Sequence, residues 1–136
     1  MASGFTAEER AAMRERAKES KAAKSREEDL AAVLEKIRTL DEPDRAIAAR
    51  LHEIVGEVAP QLAPRLWYGS PAYALGPKIL LFFQERAKFK VRYGNLAFSD
   101  NSHLDDGEMW PTSFAVLELT PEVEARMREL VVRAAG

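Results

Sequence analysis

Ile79-Leu80-Leu81-Phe82-Phe83-Gln84, followed by Lys88-Phe89-Lys90-Val91-Arg92-Tyr93 and then Gly94-Asn95-Leu96-Ala97-Phe98, decides the fold. The first segment is a short apolar run with aromatic residues, the mark of a buried strand. In the second, Phe89, Val91 and Tyr93 alternate with Lys88, Lys90 and Arg92, the period-two signature of a half-exposed strand. Gly94-Asn95 then predicts a hairpin turn into a short strand at Leu96–Phe98. Strands that follow one another through short turns pair antiparallel.

Outward from this core, Leu75-Gly76-Pro77-Lys78 reads as a turn, and Ser99–Thr112 as a long polar loop broken by Gly107 and Pro111. Ser113–Leu119 returns as a strand. Thr120-Pro121-Glu122-Val123 opens a last helix, with an N-cap threonine and a first-turn proline, and Val123, Met127, Leu130 and Val131 form its apolar stripe.

Upstream the periodicity is helical. Ile47, Leu51, Ile54, Val55, Val58 and Leu62 form the strongest amphipathic pattern, stopped by Pro60 and preceded by the helix-ending, helix-starting Asp41-Glu42-Pro43-Asp44. Before it, Leu30, Val33, Leu34 and Ile37 predict a helix that starts at a capping box, Ser25-Arg26-Glu27-Glu28. Thr6 and Glu9 predict a further capping box and a first helix to about Lys24, rich in Ala, Arg, Lys and Glu and poor in large apolar residues. The expected division is a charged helical extension over 1–26 and one domain over 27–136. Helices grouped before and after a run of strands imply an α+β fold: an antiparallel β-sheet packed with N-terminal helices and one C-terminal helix.

A length of 136 residues suits one domain, and 46% hydrophobic with 31% charged residues is a globular composition. The net charge of −2 gives no overall pull towards nucleic acid or an anionic membrane. Residues 7–26 carry seven basic and four acidic groups, but interleaving with glutamates and the lack of rings favour a solvated face over a nucleic-acid contact. The absence of cysteine excludes disulfides, thiolate nucleophiles and cysteine-ligated metals. No apolar run approaches the roughly 20 residues of a membrane span, and the start lacks a signal-peptide core, so a cytoplasmic protein is expected.

Catalytic motifs fail on inspection. His52-Glu53 begins a zincin helix motif, but Gly56 stands where the second histidine belongs. Ser99-Asp100-Asn101 lacks the Ser-x-x-Lys and Lys-Thr-Gly partners of penicillin-recognising enzymes. A non-enzymatic domain is expected, with no cofactor. Every aromatic residue but Phe5 falls between Trp67 and Phe114. Trp67 and Trp110 are expected in Gly- and Pro-containing loops rather than mid-strand, so Trp67, Tyr68, Pro71, Tyr73, Lys78, Phe83, Arg92 and Trp110 are the candidates for a small-ligand cleft. His103, Asp105, Asp106 and Glu108, with Asp100, are the densest group of metal-compatible side chains.

Several of these elements together look familiar. Trp67-Tyr68-Gly69-Ser70-Pro71-Ala72-Tyr73, the Gly-Pro-Lys turn, Ile79–Phe83, Leu104-Asp105-Asp106-Gly107, Trp110-Pro111, Phe114 and Leu119-Thr120 resemble the YdhG-like family, catalogued as a domain of unknown function, over about residues 28–134. The resemblance implies a compact α+β domain in which Gly69, Pro71 and Tyr73 are structural signature positions. Some members are named frataxin-like intracellular iron chaperones. That name implies iron held by surface acids, with Glu27, Glu28, Asp29 and Glu35 as the helical counterpart and the Asp105-Asp106 loop as a second candidate.

Overall fold

A computed structural model describes residues 5–136. The elements are α1 (Ala7–Thr39), α2 (Asp44–Val58), β1 (Ala63–Trp67), β2 (Ser70–Leu75), β3 (Lys78–Gln84), α3 (Arg86–Phe89), β4 (Gly94–Phe98), β5 (Ser113–Val116) and α4 (Pro121–Ala135). The five strands form one antiparallel sheet in the order β1-β2-β3-β4-β5, so each strand pairs with its neighbour in the chain. The α+β fold expected above is the fold observed.

α1, α2 and α4 lie on one face of that sheet. Val33 and Ile37 of α1, the stripe Ile47, Leu51, Ile54 and Val55 of α2, and Met127, Leu130 and Val131 of α4 form one buried cluster with Tyr73, Leu81, Phe83, Leu96 and Phe98. Each large side chain so buried contributes on the order of 2–3 kcal/mol. A register shift between Tyr73 and Ala74 lets the neighbours Leu80 and Leu81 both be fully buried in this core. Ala72 and Ala97, which alternate with the core residues along β2 and β4, are buried but outside the cluster. They lie on the other, uncovered face.

Charges reinforce the helical layer. Arg50 on α2 bonds Glu124 on α4 (Nε to Oε1, 2.6 Å) and Glu53 (2.8 Å), while Arg128 on α4 reaches Glu57 on α2 (2.5 Å). Asp44, at the start of α2 and only 3% exposed, accepts the backbone N–H of Arg86 (2.7 Å) and two guanidinium bonds from the same residue (3.1 and 2.9 Å). Arg86 also donates to the carbonyls of Val116 (3.0 Å), Leu117 (2.8 Å) and Arg92 (3.2 Å). One guanidinium thus ties together the start of α2, the end of β3 and the end of β5.

Three local expectations are corrected. The helix does not restart at Ser25: α1 runs unbroken for 33 residues from its Thr6–Glu9 capping box. High-propensity residues on both sides carry the helix through one serine at little cost. Within it Leu30 and Leu34 are exposed, because the packed line is Val33–Ile37–Leu40. The segment Lys88–Tyr93 is not a strand. It is the short helix α3 followed by Lys90 in the left-handed region (φ +54°) and a turn, and β3 pairs directly with β4. The bonds that Arg86 makes to Asp44 seize this segment at its first residue, and no sheet face lies beneath Phe89 and Val91 to reward alternation. Ser113–Leu119 is strand only to Val116, where Arg86 claims the next carbonyls.

Candidate functional site

β1 and β2 form a hairpin joined by Tyr68 and Gly69 alone, since Trp67 pairs with Ser70. Both turn residues have positive φ (+49° and +78°), as the tight type I′ hairpin turn requires. Gly69 pays no steric penalty there. A Cβ at that position would also stand 2.9 Å from Lys88 Nζ. Lys88 donates from that nitrogen to the carbonyl of Tyr68 (2.5 Å), which clamps the α3 segment to the turn.

The clamp assembles rings and cations at one corner of the sheet. Trp67, 37% exposed, has its ring centroid 4.7 Å from that of Phe82 and 4.8 Å from that of Tyr68, the latter edge-on. Tyr68 is 80% exposed, an unusual position for a tyrosine that also carries a strained backbone. Phe89 and Val91 are exposed beside Lys88, Lys90 and Arg92. Lys88 lies 5.5 Å from the centre of the Phe89 ring, and Arg92 5.5 Å from that of Tyr93. Among the described residues none of Lys88, Lys90 and Arg92 forms an ion pair.

From this corner the uncovered sheet face extends across all five strands. Arg65, Ala72, Phe82, Ala97 and Ser113 form one cross-strand row. Arg65 reaches along the face to the carbonyl of Pro77 (3.0 Å). Beside this row Asn95 donates to Gln84 (3.1 Å) and accepts from Ser113 (2.5 Å), which holds a polar line in place. Small alanines between the rings leave the surface shallow.

The eight residues expected in one cleft divide into several places. Trp67 and Tyr68 form the corner, with Arg92 in the segment beside it. Pro71, Tyr73 and Phe83 are buried, with Tyr73 and Phe83 inside the core under the helices. Lys78 sits at the far end of β3, by the Gly76-Pro77 turn. Trp110 precedes β5 and packs against the core there. β1 and β5 are opposite edges, roughly 19 Å apart over four inter-strand spacings. A cleft shared by the two tryptophans is therefore not formed. Lys88, Lys90 and Phe89 were hidden by their strand-like alternation, and Trp67, expected in a loop, instead ends strand β1 of a hairpin.

Tyr73 meets the chain's buried polar contact on α2: its hydroxyl is 2.9 Å from Nδ1 of His52. Burial holds the phenol protonated far above its ordinary range, and desolvation lowers the pKa of His52. The pair ties α2 to β2.

In the loop between β4 and β5, Leu104 is buried in the core while His103, Asp105, Asp106 and Glu108 are exposed. The backbone N–H of His103 donates to Ala134 (3.1 Å), which fixes the loop to α4. Among the described residues no three His, Asp or Glu side chains come together as a metal ion requires. On α1, Glu35 is bound to Arg38 (2.6 Å), whose hydrogen bond lowers the carboxyl pKa. No helix among the described residues is long and apolar enough to cross a membrane.

Comparison with family models, with curated proteins and with solved structures returns no match. The likeness to the YdhG-like family rests on the motifs quoted above.

Proposed function

We propose that this chain is a non-enzymatic binding domain that holds a small, planar, anionic molecule at the Trp67 corner of the open sheet face. The observation that carries this reading is the set of exposed rings of Trp67, Tyr68 and Phe89 held beside three cations that pair with no carboxylate among the described residues. A planar ligand stacks on such rings, and a phosphate or carboxylate on it takes charge-assisted bonds from Lys88, Lys90 or Arg92.

Tryptophan fluorescence of the W110F variant, which leaves Trp67 as the sole reporter, tests the proposal. The probes are flavin mononucleotide, adenosine monophosphate and pyridoxal phosphate, each beside its unphosphorylated counterpart. A saturable response is expected from at least one phosphate, weakened about tenfold without the phosphate group or in the K90E/R92E variant. Calorimetry on W67A should show the same probe no longer binding. A flat response to all probes, or binding that W67A leaves intact, overturns the reading.

A further inference from the structure

The two edges of the sheet are treated differently. α1 packs along β1, whereas β5 pairs only with β4. The Phe98 N–H donates to the Thr112 carbonyl (2.8 Å), and the same register continues as Leu96 opposite Phe114 and Gly94 opposite Val116. These alternate residues bond inward. Ser113 and Ala115 lie between them, so their N–H and C=O groups point away from the sheet. Arg86 holds the carbonyl of Leu117 and bounds the free stretch.

Beside this edge, on the helical side, runs a furrow of about 520 Å³ lined by Leu96, Phe114, Val116, Val123, Met127 and Leu130. It lies next to a smaller hollow of about 160 Å³ by Trp110 and Pro111, and Phe114, Arg126 and Leu130 line both. The charges along it are ordered. Glu122 lines only the larger furrow, on the first turn of α4. Arg126, 5.7 Å from the centre of the Phe114 ring, lines both hollows, and Arg133 lines the hollow by Trp110, where these two cations outnumber the one acid, Asp106. Among the described residues none of these four forms an ion pair.

We propose that β5 accepts an extended peptide as an added antiparallel strand. Main-chain bonds to Ser113 and Ala115 hold it, and every second side chain, apolar, enters the furrow. An antiparallel strand starts at the Val116 end and finishes at the Trp110 end. Its N-terminal part therefore carries a cation facing Glu122, and its C-terminal part a carboxylate facing Arg126 and Arg133. This surface is separate from the Trp67 corner, and the proposal stands without the ligand proposed there.

The test is fluorescence anisotropy with a labelled peptide, Lys-Thr-Val-Thr-Val-Thr-Glu, acetylated and amidated, whose Lys, Val, Val and Glu share the furrow face. Exchanging its terminal Lys and Glu should weaken binding at least about fivefold, as should R126E in the protein. A115P, which removes an outward N–H on an edge strand where proline is tolerated, should weaken it similarly with unchanged circular dichroism. Should A115P unfold, the same peptide N-methylated on its central residues reads the main-chain bonds against unaltered protein, and loss of affinity is again expected. No saturation up to millimolar peptide, equal affinity for both charge orders, or indifference to N-methylation overturns the proposal. So does a concentration-dependent dimer that peptide fails to dissociate, which would assign the edge to a second copy of the chain.

Discussion

Asp44 is fixed by its charge. Its carboxylate receives three bonds from Arg86, and Gly94 is kept bare beside it, since a Cβ there would stand 2.8 Å from Asp44 Oδ1 and 2.5 Å from the Phe83 ring. Asp44→Ala strands a guanidinium that is itself largely buried, so a loss of about 3 kcal/mol is expected by urea denaturation. A loss below about 1 kcal/mol would mean that the carbonyls of Arg92, Val116 and Leu117 satisfy Arg86 without the carboxylate. His52 carries a second, pH-dependent contribution. Desolvation lowers its folded pKa below the unfolded value, so the unfolded chain binds the proton more readily. Its contribution to stability is complete above about pH 6.5 and is lost as pH falls through the lowered folded value. His52→Gln should remove this part of the acid sensitivity, seen as a shallower fall of the urea midpoint between pH 7 and pH 5. Identical slopes in the two proteins would assign the acid sensitivity to carboxylates alone.

Among the elements, α1 is two helices in energetic terms though one in geometry. From Ala7 to Ala22 every residue is exposed, and burial begins in earnest only at Val33. Arg16→Pro should therefore break the free half, lowering ellipticity at 222 nm, while the urea midpoint followed by tryptophan fluorescence stays within about 0.5 kcal/mol of wild type. A large midpoint shift would show that the projecting half packs on something in solution. The ends of this helix and of α4 were legible because capping is local: Thr6 with Glu9, and Thr120 with Pro121, hold all their information within four residues. The Ser25 box has the same letters but no interruption before it, and continuity of good helix formers prevailed. Lys88–Tyr93 was misread because its partner, Asp44, lies some forty residues upstream. Alternation reports a strand only where a sheet face is present to receive it.

For the whole molecule, the fold class followed from the grouping of helical and strand-like segments, which does not depend on knowing which strand touches which. The candidate site did depend on it. Trp67 and Trp110 occupy similar Gly- and Pro-containing contexts, yet strand order sends one to each edge of the sheet. Tyr73 and Phe83, expected in the cleft, lie at a depth under the helices that removes them from any surface. What could not be read was the pairing of two separate segments by a single lysine-to-carbonyl bond, Lys88 to Tyr68, which creates the exposed corner.

The succession of strands in chain order has a kinetic consequence. A nascent polypeptide can close each hairpin soon after its second strand emerges, because no strand waits for a partner made much later. Loop closure is shortest at the two-residue turns Tyr68-Gly69 and Gly76-Pro77 and longest between β4 and β5. Pairing between chain neighbours keeps the contact order of the sheet low, which goes with rapid assembly.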